Sequence, residues 1–162
     1  KARGLVCNVG YGMRQHDFHR QALATGDVDF LLCFNNYNLI RQSAATELLP
    51  TAAAAGVGVM NGWSILRGLL TGIDIEEARA KGRYKNDQDA EAAKIIRQWC
   101  IDEGINLLQL ALQFCLREER IHANPLGNLN FEQLEANILA ASTPLPDEVW
   151  DRFAARFGVK TA

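Results

Sequence analysis

Short apolar runs alternate along the chain with longer stretches of helical spacing. Gly4-Leu5-Val6-Cys7-Asn8-Val9 reads as a strand that ends at Gly10-Tyr11-Gly12. Residues 14–25 read as a helix stopped by Gly26. Val28-Asp29-Phe30-Leu31-Leu32-Cys33-Phe34 is nearly all apolar, which fits a strand covered on both faces of a parallel sheet. Asn35-Asn36-Tyr37-Asn38 is the loop after it. Residues 43–55 predict a helix with Ser43 as N-cap and Leu48 and Leu49 facing inward; Pro50 bends or splits it. A third buried strand follows at residues 57–60.

The second half is richer in helices. Residues 72–87 are polar and charged, an excursion over the surface. Residues 88–103 carry Ala92, Ile95, Ile96 and Trp99 at helical spacing, and Gly104 ends that helix. Residues 106–117 predict a well-buried helix, with Leu107, Leu108, Ala111, Phe114 and Cys115 on one stripe that Leu110 and Leu112 widen. Residues 121–125 read as a fourth strand and Gly127-Asn128-Leu129-Asn130 as its loop. Asn130 and Gln133 have the spacing of a capping box. The helix they open turns Leu134, Ile138 and Ala141 inward. Pro144 and Pro146 precede a last amphipathic helix with Val149, Trp150 and Phe153 on its apolar side.

This order of strands and helices predicts an α/β fold with a parallel sheet. Two architectures fit: an open doubly wound sheet, or part of a (β/α) barrel. A complete barrel has eight strands and about 250 residues, so the pattern amounts to half of one.

The totals narrow the function classes. The chain has 162 residues, 48% hydrophobic and 22% charged, which suits one globular domain. A net charge of −2 and a pI of about 5.9 give no general electrostatic case for nucleic acid or an acidic membrane. No run approaches the ~18 apolar residues of a membrane span, and no secretory signal pattern opens the chain. Cys7, Cys33, Cys100 and Cys115 lack C-x-x-C spacing, and each sits in an apolar run. They read as buried reduced thiols of a cytoplasmic protein.

The stretch from Asn61 to Gly72 concentrates the candidate chemistry. Glycines, Ser64 and Arg67 follow a buried strand there, and two readings fit: a loop that can bring backbone N–H groups close to an anion such as phosphate, or an ordinary strand-to-helix connection with glycines for its turns. Its spacing is neither that of the dinucleotide fingerprint nor that of a P-loop. His16 and His19 have a metal-compatible spacing on a helix but no third ligand, so they read as a solvated face and no metal site is expected. His122 reads as structural. Glu118-Glu119-Arg120 reads as a charged helix end, and residues 76–89 as solvated.

Several motifs are similar to those of the aldo-keto reductase family. In that family the sixth strand leads to Tyr-Asn-Leu and the seventh to a loop ending in Gly-Leu-Leu-Thr-Gly. Here these are Tyr37-Asn38-Leu39 and Gly68-Leu69-Leu70-Thr71-Gly72. Glu132-Gln133-Leu134-Glu135-Ala136-Asn137 resembles the family's Glu-Gln-Leu-Glu-x-Asn helix. The opening residues 1–11 resemble its fifth strand. Pro144-Leu145-Pro146 and Trp150 resemble the branch of L-galactose and D-threo-aldose dehydrogenases.

The resemblance implies a partial (β/α)8 TIM barrel, strands five to eight with their helices, over residues 1–162. It implies an NAD(P)-dependent oxidoreductase that passes hydride between nicotinamide and a sugar or other small carbonyl or alcohol. The family's catalytic Asp, Tyr, Lys and His belong to the first four strands, so no catalytic residue is assigned and the chain alone is expected to be inactive. The implied partner is the missing N-terminal half-barrel, or another copy of the chain through open sheet edges. The alternative is a non-catalytic nucleotide-binding or structural half-barrel.

By the same resemblance, Ser64, Leu66 and Gly68 meet the pyrophosphate through backbone nitrogens, with Arg67 as a further contact. Gly62 stands where the family often has an aromatic that stacks on nicotinamide, and Trp63 beside it either takes that role or is core. Val9-Gly10 stands where the fifth strand holds the carboxamide with a hydroxyl, absent here. Asn137 matches the adenine-contacting asparagine. Gly127, Asn128, Asn130 and Gln133 face the adenosine ribose. That stretch has no cation, Gln133 replaces the Arg of many NADP-dependent relatives, and Glu132 would repel a 2′-phosphate. NAD is therefore expected over NADP.

Overall fold

Three short parallel strands lie side by side in chain order: β1 (Gly10–Met13), β2 (Phe30–Phe34) and β3 (Gly58–Gly62). They belong to a computed structural model that describes residues 1–80 and 87–159. The chain forms two units, residues 1–64 with 118–126 and residues 65–117 with 127–162.

The first unit is the sheet with its covering helices, α1 (His16–Ala24), α2 (Ser43–Glu47) and α3 (Leu49–Ala54). Leu31, Cys33 and Val59 alternate onto the buried face of the strands, as period-two geometry requires. The first strand lies later in the chain than residues 4–9. Gly10 pairs with Phe30, and the Phe30 ring occupies the space that a side chain at position 10 would need. Leu5 and Val6 are exposed, and so is Cys7, so the expectation of a buried thiol fails at that position. The segment is still tethered. Asp29 accepts from Lys1 Nζ and from the Val9 amide, both at 2.7 Å, and these contacts hold its carboxyl below the usual range.

Pro50 does split the helix of residues 43–55: α2 and α3 meet at Leu48, with Pro50 in the first turn of α3. The cap of α2 is Gln42 and not Ser43, and no side chain caps it. The Ser43 hydroxyl lies instead 3.1 Å from His16 Nε2.

The fourth strand reduces to a single parallel bridge, Met60 to Ala123. His122 N donates to Val59 O and Asn61 N to Ala123 O, both at 2.8 Å. The Val59 amide donates to the imidazole Nδ1 of His122, at 3.1 Å, instead of to a carbonyl, and Pro125 has no N–H to extend the ladder. The segment still runs parallel to β3, so it leaves the sheet at the same end. Glu118, buried, pairs with Arg120 at 2.7 Å, which holds its carboxyl below the usual range.

A buried amide ties these strand ends together. Asn61 stands on the same face of β3 as Val59 and is fully buried, where an unpaired polar group would be costly. Its Nδ2 donates to Tyr37 O at 2.9 Å, Asn124 Oδ1 at 3.0 Å and Ser64 Oγ at 3.4 Å. The Ser64 hydroxyl donates to Asn124 Oδ1 at 2.9 Å.

The second unit is helical: a 3₁₀ turn (Leu66–Gly68), α4 (Ile75–Ala80), α5 (Asp87–Asp102), α6 (Leu107–Leu116), α7 (Phe131–Ser142) and α8 (Asp147–Phe157). The excursion of residues 72–87 contains α4, which buries Ile75 and Ala78; residues 81–86 lie outside the described residues. Asp89, read as solvated, is buried. The inward stripe of α5 is Ala90, Ala93, Ile96 and Cys100; Ile95, expected inward, is exposed. Burial pushes the Cys100 thiol up to about 12. α6 is buried as its pattern predicts. Trp99, Phe114, Phe153 and Phe157 form a chain of ring contacts that seats α8. α7 turns Asn137 and Ala140 inward, whereas Leu134 and Ile138, expected inward, are exposed.

His19 corrects the reading of a solvated histidine face. It is fully buried in the first unit, with Nε2 3.3 Å from Leu32 O. Burial, aided by the nearby His16, lowers its pKa from 6.5, outweighing the opposing hydrogen bond to Leu32. The unfolded chain then binds the proton more readily, so this group's contribution to stability is complete above about pH 6.5 and is lost as pH falls below it. Urea midpoints measured between about pH 7.5 and about pH 5.5 should decline, and His19→Gln should flatten that slope. Asn61→Ala should cost about 1–3 kcal/mol in urea unfolding, because it removes the buried hydrogen bonds to Tyr37 O and Asn124 Oδ1.

Candidate functional site

The C-terminal ends of β2, β3 and the Ala123 segment form the rim at which the sequence places its candidate loop. Gly62 ends β3. A Cβ there would lie 3.1 Å from Phe34 Cβ, tighter than ordinary packing, so an aromatic at position 62 would have to displace Phe34. Phe34 and Trp63 fill the place together, their ring centroids 5.7 Å apart at 50°. Trp63 is 38% exposed and has φ +67. Asn35, which follows Phe34, the pairing partner of Gly62, has φ +60, and its amide donates to Gly62 O at 3.2 Å. Arg41 Nη1 holds the Asn35 side chain at 2.8 Å.

The backbone beyond Ser64 is equally constrained. Leu66 and Arg67 have φ +47 and +55 and Gly68 φ +98. Trp63, Leu66 and Arg67 are thus three non-glycine residues in the left-handed region within five positions, a conformation that costs energy and that surrounding structure must impose. The Gly68 amide closes the turn on Ile65 O at 2.9 Å, which removes it as a free donor to an anion. The amides of Ser64 and Leu66 have no backbone acceptor among the described residues. The Ser64 side chain is buried and committed to Asn124.

In the helical unit, the residues expected to face a ribose come together around the start of α7. Asn130 caps the helix by accepting from Gln133 N at 2.9 Å, and Gln133 Oε1 reaches back to the Leu129 amide at 2.9 Å. Of the capping box predicted from spacing, the Asn130 half is formed and occupies Asn130 Oδ1, whereas the return bond of Gln133 goes one residue earlier, to the amide of Leu129 and not of Asn130. Asn137 is buried and donates to Asn128 Oδ1 at 2.7 Å. Gly127 begins this stretch, and a Cβ there would meet nothing within 4 Å.

Gly10 is not at this rim. It opens β1 opposite Phe30 and Gly58, at the N-terminal end of the parallel sheet. The C-terminal end of β1 is Gly12-Met13, so the hydroxyl expected at the end of that strand is absent there too. The loop from Met13 into α1 borders a shallow hollow of about 420 Å³ that includes Arg14, His16, Arg20 and Glu47. Two of its charges are already committed, since Arg20 pairs with Asp17 and approaches Glu47 at 3.9 Å. No group of three or more potential metal ligands occurs among the described residues.

Sequence reasoning missed Phe34 and Asn124. Phe34 was hidden inside an apolar run. Asn124 carried a signal, a lone amide between Ala123 and Pro125 at the end of a strand-like segment.

Residues 1–156 match the Aldo/keto reductase family. The chain is 28% identical over 158 residues to D-threo-aldose 1-dehydrogenase of a Pseudomonas species, covering 95% of this chain and 47% of that protein. It is 28% identical over 156 residues to pyridoxal 4-dehydrogenase of Microbacterium luteolum, covering 93% and 44%. An L-galactose dehydrogenase of Arabidopsis thaliana is 28% identical over 117 residues, 72% of this chain and 35% of that one. Among solved structures, an aldo-keto reductase of Bacillus halodurans shares the fold in its holo and apo forms, with TM-scores of 0.74 and 0.75 at 22% identity. The match takes in 99% of this chain and 53–54% of that enzyme. The chain thus spans about half the length or less of the relatives it matches, and over that span it belongs to the aldo/keto reductase family.

Proposed function

We propose that the chain is the dinucleotide-holding portion of an NAD(P)-dependent aldo-keto reductase, corresponding to strands five to eight of the barrel. In the whole enzyme, hydride would pass between nicotinamide and a sugar or another small carbonyl or alcohol. The observation that carries this reading is the cluster of three left-handed, non-glycine residues, Trp63, Leu66 and Arg67, after β3. A fold stores strain of this kind where it must aim backbone groups at a ligand. The names of the dehydrogenase relatives support a sugar or aldehyde substrate class. Buried free thiols at Cys33, Cys100 and Cys115 support a reducing, cytoplasmic setting.

In this reading the Leu66 amide and the Arg67 guanidinium meet the pyrophosphate, and the Ser64 amide supports the same loop. The Phe34–Trp63 pair offers the ring surface that an aromatic at position 62 would otherwise give. Nicotinamide is the hydride carrier when bound. The start of α7 favours an anion through its helix dipole, but Glu132 stands in its first turn and no cation does. A ribose hydroxyl suits Asn128 better than a 2′-phosphate does, so NAD is favoured over NADP. Gly10 has no part in this site, because it lies at the other end of β1.

No match to the family's proton-donating tyrosine or its partners lies in this stretch, so the chain alone should not turn over aldehydes with NADH. A whole protein that binds dinucleotide yet performs no hydride transfer would favour the alternative, a non-catalytic half-barrel. Calorimetric titration of the chain with NADH and NADPH should give tighter binding of NADH. Gln133→Arg should shift the ratio of the two dissociation constants towards NADPH by about tenfold, the scale of one charge-assisted contact. Tighter binding of NADPH by the unaltered chain would contradict the loop assignment.

A further inference from the structure

Two imidazole nitrogens are left bare inside the first unit. His16 and His19 stand three apart on α1, so both project from one side of the helix. His19 Nε2 lies 3.3 Å from Leu32 O, and a carbonyl only accepts, so Nε2 carries the ring proton. Asn36 satisfies both ends of its amide when Nδ2 donates to Arg14 O and Phe34 O; its Oδ1 then accepts from His16 Nε2 at 3.0 Å. Each neutral ring therefore keeps an unprotonated Nδ1. Both Nδ1 atoms are buried, and neither has a hydrogen-bond partner. A buried lone pair without a partner is costly, and two of them belong to neighbouring rings here.

Histidines that bind a metal through one nitrogen donate the other to an oxygen, which fixes the tautomer and the ring. Leu32 O and Asn36 Oδ1 supply those oxygens. Distance then selects the coordination. An imidazole lone pair points outward along the line from the ring centre through its nitrogen. Two nitrogen–metal bonds of about 2.0–2.1 Å in line, each continued about 1.1 Å to its ring centre, span about 6.2–6.4 Å. The ring centroids of His16 and His19 are 6.4 Å apart. No group of three or more potential ligands occurs among the described residues, and the carboxylates of the adjoining hollow, Asp17 and Glu47, face Arg20. A zinc ion would lack its further ligands and any compensating charge. We propose that His16 Nδ1 and His19 Nδ1 form a linear two-coordinate site for a soft monovalent cation of the Cu(I) and Ag(I) class. Burial lowers the pKa of His19, which keeps its Nδ1 free of a proton at neutral pH. Neither histidine is assigned to the dinucleotide, so the site stands independently of that reading.

The test uses the Cys7→Ser chain, which removes the exposed thiol, with its histidines labelled by nitrogen-15. Burial pushes the Cys33 thiol up to about 11 and that of Cys100 to about 12, so both stay protonated at neutral pH. Silver nitrate added at neutral pH should move the Nδ1 resonances of His16 and His19 together, saturating at one ion per chain, while both Nε2 keep their protons. His122, whose Nδ1 accepts from the Val59 amide, should stay still. Cu(I) under anaerobic conditions should give the same pattern, and Zn(II) should bind more weakly than either. His16→Gln should weaken the silver response of His19 by about tenfold or more with circular dichroism unchanged, because position 16 is only half-buried. His19→Gln should do the same to His16, and the His16 variant decides alone if the His19 variant fails to fold. Four results overturn the proposal: no saturable shift at either histidine, a shift at only one, a His19 response indifferent to His16→Gln, or Zn(II) bound as tightly as silver.

Discussion

The side-chain amide of Asn61 sets the geometry at the end of the sheet. It occupies a position that strand alternation gives to the core, between Val59 on its own strand and Cys33 on the next. A polar group there is tolerable only if its hydrogen bonds are made, and it makes them to three separate stretches of chain: Tyr37 after β2, Ser64 after β3 and Asn124 after the Ala123 bridge. A leucine at position 61 would satisfy the core but leave these three segments to find their places independently. The specificity of the rim therefore comes from a buried amide network, and the strained backbone of Trp63 lies between two of its members, Asn61 and Ser64. A low-dielectric setting strengthens such bonds and raises the cost of losing one.

The family was legible in the chain because its motifs lie in loops and caps, where local chemistry dictates the residue. Gly68 through Gly72 ends a strained turn, and Asn130 caps α7 through the Gln133 amide; both are short-range devices that need no tertiary partner to be recognised. The strand at residues 28–34 and the break at Pro50 were legible for the same reason. What failed was the direction of faces. Residues 4–9 have strand composition, yet the sheet starts at Gly10, where the Phe30 ring needs an absent side chain. In α5 the expected stripe of Ala92, Ile95, Ile96 and Trp99 held only at Ile96 among the residues fully buried, with Ala90, Ala93 and Cys100 beside it; in α7 the buried side is Asn137 and Ala140, and the larger Leu134 and Ile138 stay exposed. His19 looked like a solvated partner of His16 and is buried, because a single backbone acceptor, Leu32 O, satisfies the nitrogen it turns inward.

The misread faces have a shared consequence. A chain that spans about half of its relatives can carry apolar residues for surfaces outside its own packing, and pattern analysis assigns all of them to one core. The proposed site has the same character: the turn after β3 and the start of α7, which the proposal gives to a dinucleotide, lie in this portion of the chain, whereas groups that would move a proton have no match.

The central claim is that the turn after β3 and the start of α7 hold a nicotinamide dinucleotide. The most direct measurement is nuclear magnetic resonance of the isotopically labelled chain, following backbone amide shifts as NADH is added. The account predicts saturable shifts at Leu66, Arg67 and the stretch from Gly127 to Asn137, with the Trp63 indole also moving and Gly10 still. Shifts confined to the hollow beside Arg14 and Arg20, or no saturable shift at Leu66 and Asn128, would contradict it.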